Sequence, residues 1–255
     1  PGLLSGVISY NIGAGFLGGM LGGFITGWVV AALVKYIKVP VWAEGLKPMM
    51  IIPLLSSLIM AGIMFYVVGQ PIVVATNAMT SFLNSMQGSA KFVFGGIMGA
   101  MAAFDFGGPV NKVASLFADG LLLQGVQQPE AIKILASMVP PFGVTISWVL
   151  AILFKRKIYT KAEEDNIKIA FPMGIVMITE GVIPIAAVDL VRVVAASSIG
   201  AAVGGALSMT WDIKSPVPSG GMFIVPAMNK PLLFCLALLI GSIVTGLILF
   251  FTKKT

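Results

Sequence analysis

Five stretches of this chain run without a charged side chain for long enough to cross a lipid bilayer, which limits the possible folds more than any motif does. They are Leu3–Val34, Pro48–Ala90, Ile134–Phe154, Val193–Trp211 and Pro231–Thr252. A helix needs about 20 apolar residues to span a hydrocarbon core about 30 Å thick. A soluble fold offers no escape: of 255 residues 58% are hydrophobic and 10% charged, with a mean hydropathy of +1.01, too few polar groups to cover a water-facing surface. The chain reads as an all-α polytopic membrane protein. Its net charge of +6 then carries no argument for nucleic acid, because basic residues gather at cytoplasmic membrane ends.

Absences narrow the chemistry. There is no histidine and one cysteine, Cys235, so His-based metal sites, Cys clusters and intrachain disulfides are excluded and no metal or cofactor is expected. No GxxxxGK[ST] loop is present, which excludes ATP hydrolysis by a P-loop. The chain starts at Pro1 without a signal-peptide pattern, and is expected to be part of a longer protein.

The first run is rich in glycine at small-xxx-small spacings, such as Gly15–Gly19 and Gly19–Gly23, which lets helices approach closely in lipid. The run from Pro48 to Ala90, 43 residues, is too long for one crossing. Gly69-Gln70-Pro71 is its expected break, leaving Met49–Val68 as a span and a polar remainder containing Thr76, Asn77, Thr80, Asn84 and Gln87. Phe92–Phe104 is a short apolar run ending at Asp105, and Ile134–Phe154 contains Pro140-Pro141.

Two basic segments, KRKIYTKAEEDNIK at 155–168 and the terminal Lys253-Lys254, read as cytoplasmic by the positive-inside rule. An even number of crossings must separate them, and Val193–Trp211 with Pro231–Thr252 supply two. The segment between, charge-free from Ile169 to Val188 except for Glu180, is then expected to enter and leave on one side as a re-entrant hairpin. Pro172, Gly174, Gly181 and Pro184 break it at the right places. Irregular backbone at membrane depth is tolerated only against protein or a water-filled cavity.

A carboxylate inside such a segment marks a pathway or binding site by default. Glu180, flanked by Thr179 and Gly181, reads as an acceptor for ligand hydroxyls or for a proton; the alternative is a structural carboxylate paired with a buried lysine or backbone amides. A second polar island, Asp105–Lys112, offers unwound backbone at Gly107-Gly108-Pro109 beside Asn111, the manner in which transporters hold polar solutes. Asp105 and Lys112 are expected to be structural, paired across the break, with Asn111, Gly107 and Gly108 facing the cavity. A third island, SPVPSGGMF at 215–223, reads equally as an external turn or as part of the site through Ser219, Gly220 and Gly221. Asp189 and Arg192 are spaced as a helix ion pair, and Trp148 and Trp211 as interfacial anchors.

GGPVNKVA at 107–114 and ITEGVIPIA at 178–186, in this order, resemble the signatures of the fructose-type membrane component of the bacterial phosphotransferase system, its enzyme II C domain. The resemblance covers nearly the whole of 1–255 as one C domain, with one or two N-terminal helices missing. It implies an elevator-type sugar transporter with re-entrant hairpins and broken helices, a homodimer in the bacterial inner (cytoplasmic) membrane surrounded by lipid. A partner B domain bearing phosphocysteine, supplied by an A domain and the general phosphotransfer proteins, would phosphorylate the incoming sugar. Glu180 would then bind sugar hydroxyls and, as a second role, act as the base that deprotonates one. The chain has no B-domain cysteine or A-domain histidine, so alone it would phosphorylate nothing. One departure concerns the third island: members commonly carry His-Gly-Gly where this chain has Ser219-Gly220-Gly221. That implies a substrate other than plain fructose, such as the mannosyl glycoside mannosylglycerate. The rival reading is a proton-coupled secondary sugar transporter with Glu180 as coupling carboxylate.

Overall fold

The computed structural model describes residues 1–253, with the side chains of Phe16 and Asn84 left out; Lys254 of the terminal basic pair and Thr255 lie outside the described residues. Within the described residues there are helices and no strand. Helical stretches long and apolar enough to cross a bilayer are Leu17–Tyr36, Lys47–Leu83, Gln128–Leu153, Leu190–Thr210 and Pro231–Thr252. The protein is a multi-pass all-α membrane protein. It divides into two compact units, Pro1–Ser85 and Met86–Thr255.

In the first unit the apolar run from Leu3 is two helices rather than one. Helix α1 (Gly2–Asn11) and α2 (Gly15–Tyr36) are separated by a reversal in which Gly13 and Gly15 adopt φ of 78° and 58°, a conformation only glycine takes without cost. The glycine pair that admits the partner helix is Gly18 and Gly22, which lie against Ser9 and Ser5 of α1. Gly19 also approaches Gly6. The expected break at Gly69-Gln70-Pro71 is likewise corrected. Helix α3 (Ile52–Ile63) passes through a π-helical turn, Met64–Val68, directly into α4 (Gly69–Ser85). Pro71 has no N–H to give to the carbonyl of Val67 and its ring crowds that carbonyl; a widened turn just upstream accommodates both without ending the helix.

The second unit is built around α7 (Gln128–Leu153), which is buried along most of its length and contains Pro140 and Pro141. Helix α5 (Ser89–Phe104) lies closely against α10 (Leu190–Thr210): Gly95 faces the carbonyl of Gly205, and Gly99 that of Ala201. Gly200 and Gly241 bring α10 to α11 (Pro231–Thr252) in the same way. Contacts this close need residues without a side chain, and such helix pairing substitutes for the hydrophobic effect in lipid.

Helix α8 (Lys161–Ile175) starts with a capping box in which Thr160 and Glu163 satisfy each other's backbone amides. Glu163 also pairs with Lys253 at 2.8 Å, both groups buried. Arg156 donates to the carbonyl of Phe250 at 3.0 Å. The two basic segments therefore meet at one end of the unit, as the even-crossing argument requires. Burial alone pushes the Glu163 carboxyl up, but the bonds from Lys253 and from Thr160 outweigh it and hold it below the ordinary glutamate value.

Candidate functional site

From that basic end α8 rises 15 residues, about 22 Å at 1.5 Å per residue. The chain then reverses at Met177, φ 67°, and returns through a 3-10 turn, Thr179–Val182, and the short helix α9 (Ile183–Ala186). The returning arm packs on the rising one, with Gly181 against Ala170 and Met173 of α8. This is the two-armed hairpin expected from the sequence, with Glu180 just past its tip.

The tip is fastened by a carbonyl that a proline sets free. Pro141 lacks the N–H that would bond the carbonyl of Ser137, four residues back. That carbonyl accepts the buried hydroxyl of Thr179 at 2.9 Å. Thr179 therefore serves the backbone of α7, while the next side chain, Glu180, does not. Glu180 is exposed, and no hydrogen bond or ion pair to it occurs among the described residues. The paired structural carboxylate weighed above is not what the structure contains.

The second island reaches Glu180 directly. Between α5 and α6 (Pro109–Leu122) the backbone turns through Phe106 (φ 48°) and Gly107 (φ 100°). A Cβ on Gly107 would overlap the Glu180 carboxylate, so this glycine is what leaves room for it. The break is closed by reciprocal capping. Asp105 accepts from the amides of Val110 (2.7 Å) and Asn111 (2.9 Å) at the start of α6. The side-chain amide of Asn111 donates back to the carbonyl of Ala102 in the last turn of α5. Helix ends leave such donors and acceptors unsatisfied, and these two side chains take them up. Asp105 is structural as expected, but its partner is the helix start and not Lys112, which is exposed. Asn111 is buried with its amide directed at Ala102 and its oxygen accepting from Ser115. Gly108 lies against Asp105.

The third island folds onto the hairpin. Gly220 and Gly221 have φ of 132° and 58°, and Gly221 sits so close to the carbonyl of Ile175 and the amide of Met177 that no side chain fits. Ser219 is exposed, its hydroxyl 2.5 Å from the carbonyl of Pro218. Gly221 thus packs this loop on the hairpin backbone at residues 175–177. Sparsely populated backbone conformations occur in all three islands, at Phe106, Met177 and Gly220-Gly221; such strain collects where ligands are held. Arg192 pairs with Asp189 at 3.0 Å.

Two contributors were not visible in the sequence: the carbonyl of Ser137, and Lys133, which bonds the carbonyl of Pro218. Pro141 was the available signal for the first. For the second it was an i,i+3 charged pair, Glu130 and Lys133, at the mouth of an apolar run. No group of three or more His, Cys, Asp or Glu residues able to hold a metal occurs among the described residues. The arrangement offers a carboxylate acceptor beside the Gly107 turn, on a hairpin whose backbone at 175–177 carries the Gly221 loop.

No family model matches the chain, and no solved structure matches it. Among curated proteins it is similar to the PTS system fructose-specific EIIC component of Haloferax volcanii, 40% identical over 239 residues, covering 93% of this chain and 62% of that protein. It is 38% identical over 255 residues to the fructose permease IIC component of Bacillus amyloliquefaciens, all of this chain and 82% of that one. It is 37% identical over 255 residues to the PTS system fructose-specific EIIABC component of Bacillus subtilis (strain 168), of which it spans 40%.

Proposed function

Because the chain belongs to the family of fructose-specific EIIC components of the phosphotransferase system, we propose that it is the sugar-binding and sugar-translocating membrane subunit of such a system. The observation that carries the proposal is Glu180, a carboxylate without a partner among the described residues, just past the tip of a membrane hairpin and against Gly107. A neutral polyol offers hydroxyl donors to this acceptor, each charge-assisted bond contributing about 1.5–3 kcal/mol. Backbone groups exposed at Gly107, Gly108 and Gly220 complete the binding surface, with Thr179 and Gly181 holding the carboxylate in place.

The phosphoryl group comes from a phosphocysteine on a B domain, fed by an A domain. The S–P bond breaks, an O–P bond to the sugar forms, and the hydroxyl proton passes to Glu180. Relatives that carry A and B parts with C on one chain, as the EIIABC name states, support that partnership. The gathering of the whole candidate site into the second unit supports an elevator-type cycle in which a site-bearing body moves as one. A homodimer belongs to the same reading and is checked by mass photometry. The relatives named above are fructose-specific in their names; Ser219, where the resemblance leads one to expect histidine, is the reason to offer a mannosyl glycoside beside fructose.

The test is uptake of radiolabelled fructose and mannosylglycerate into vesicles holding the full-length protein or its Glu180→Gln variant, with and without phosphoenolpyruvate and the soluble phosphotransfer proteins. Accumulation of phosphorylated sugar that requires the phosphodonor and falls by tenfold or more in the variant is expected. Uptake that follows a proton gradient and ignores the phosphodonor would sink the proposal and return Glu180 to the role of coupling carboxylate.

A further inference from the structure

The ammonium of Lys133 is almost fully buried near the start of α7 and has three partners at short range. They are Asp119 on α6 at 2.6 Å, Glu130 on its own helix at 2.7 Å, and the backbone carbonyl of Pro218 at 2.6 Å. Asp119 and the Pro218 carbonyl accept hydrogen bonds from it and Glu130 stands as an ion pair; a lysine has three N–H donors and no acceptor. The two carboxylates tie α6 to α7. The third contact does something else, because Pro218 immediately precedes Ser219-Gly220-Gly221.

The loop's own hydrogen bonds are short-range, Ser215 to the carbonyl of Val217 and Ser219 to that of Pro218. Gly220 and Gly221 adopt φ of 132° and 58°, which only glycine takes without cost, and Gly221 opens a 3-10 turn, Gly221–Ala227; what fixes this turn against the hairpin is its attachments. Downstream it rests on the carbonyl of Ile175 and the amide of Met177 through Gly221; upstream the amide of Ser215 donates to the carbonyl of Gln127, and the attachment nearest the glycines is Lys133 on Pro218. Four residues after Lys133, on the same face of α7, the carbonyl of Ser137 holds Thr179. One helix face thus fastens both the loop and the hairpin tip that carries Glu180. A buried ammonium within a membrane helix is costly, and a tie between two helices alone is made as well by apolar residues.

We propose that Lys133 is a positioning residue that sets the register of the Ser219–Gly221 loop against Glu180 by gripping the carbonyl of Pro218. The part of the inference that concerns sugar rests on the site proposed above; the tether itself does not.

The test compares the full-length protein in detergent in several forms. Asp119→Asn with Glu130→Gln keeps the tether. Adding Lys133→Met removes it without stranding buried carboxylates, and Lys133→Gln in the same background, polar but too short to reach Pro218, is the second tetherless form. Hydrogen exchange over residues 216–223 and the Kd for fructose by calorimetry are the readouts. In both tetherless forms the expectation is exchange at least tenfold faster in 216–223 with 134–153 unchanged, and a Kd raised about tenfold. The double variant, whose buried ammonium keeps neutral acceptors but loses its counter-charges, is expected to lose stability yet exchange at least threefold more slowly in 216–223 than the tetherless forms, and Lys133→Arg, which keeps the donors, to stay within threefold of wild type in both readouts. Unchanged exchange in the tetherless forms overturns the proposal, as does a double variant as defective as they are. Mannosylglycerate is titrated alongside fructose; if wild type binds neither, the sugar reading fails and the exchange data alone decide the tether.

Discussion

Replacing Gly107 with alanine tests the site at its tightest point. Gly107 has φ 100°, a region where a residue with a Cβ is strained by about 1–3 kcal/mol. Its new methyl would also overlap the Glu180 carboxylate. The backbone there is held by the capping of Asp105 on Val110 and Asn111, whereas the carboxylate is exposed and has no partner, so the carboxylate is what moves. A shift on the order of 1 Å takes a bond of about 2.7 Å outside the normal range. Losing one charge-assisted bond costs about 1.5–3 kcal/mol, roughly 10- to 100-fold in affinity. The assay is a double-mutant cycle: Gly107→Ala, Glu180→Ala and both together, with fructose Kd by calorimetry and thermal unfolding in detergent. In the Glu180→Ala background there is no carboxylate to displace, so Gly107→Ala should change Kd less than about threefold while still costing stability through φ. Equal losses of affinity in both backgrounds would refute the reasoning, because Gly107 would then act independently of Glu180. Gly96→Ala, whose methyl would find ordinary packing distances, is the control and should leave Kd unchanged.

At Gly221 the obstacle is the main chain of residues 175–177 and not a side chain, so alanine cannot be accommodated by rotation. Gly221→Ala should therefore cost about 2 kcal/mol or more, read as a lower unfolding midpoint together with faster exchange in 216–223; a midpoint equal to wild type counts against the packing described. The Glu163–Lys253 pair makes a pH prediction. Because the folded carboxyl titrates below its ordinary value, its contribution to stability is complete above the unfolded value of about 4.3 and is lost as pH falls through the folded one. The difference in unfolding midpoint between wild type and Glu163→Gln should hold from neutrality to about pH 5 and shrink below it. At pH 7, Lys253→Met leaves a buried carboxylate without its cation and should destabilise by about 3–5 kcal/mol; a change under about 0.5 kcal/mol would remove the pair from the account.

What the sequence determined by itself follows from the bilayer as solvent. Lipid leaves no backbone polar group unsatisfied, so a charge-free run of sufficient length is a helix wherever its partners lie. The spans from Gln128, Leu190 and Pro231 were legible for that reason. The hairpin around Glu180 and the break at Gly107-Gly108-Pro109 were legible because proline and glycine act on the chain locally. Locality also set the limit. Hydropathy does not register a reversal made by Gly13 inside an apolar run, nor a π-helical turn at Met64–Val68 that lets Pro71 sit inside a helix. Asn111 was assigned to the cavity because it stands beside a helix break, yet the nearest unsatisfied group was the Ala102 carbonyl, and the tertiary structure turned the amide there. Thr179 and Ser137 are 42 residues apart in the chain, and Lys133 and Pro218 are 85 apart. Periodicity tells which side of a helix avoids lipid but not what it meets. The partners of the site were therefore decided only when α7 came to lie behind both the hairpin and the loop, where a carbonyl freed by Pro141 and a buried ammonium needed them.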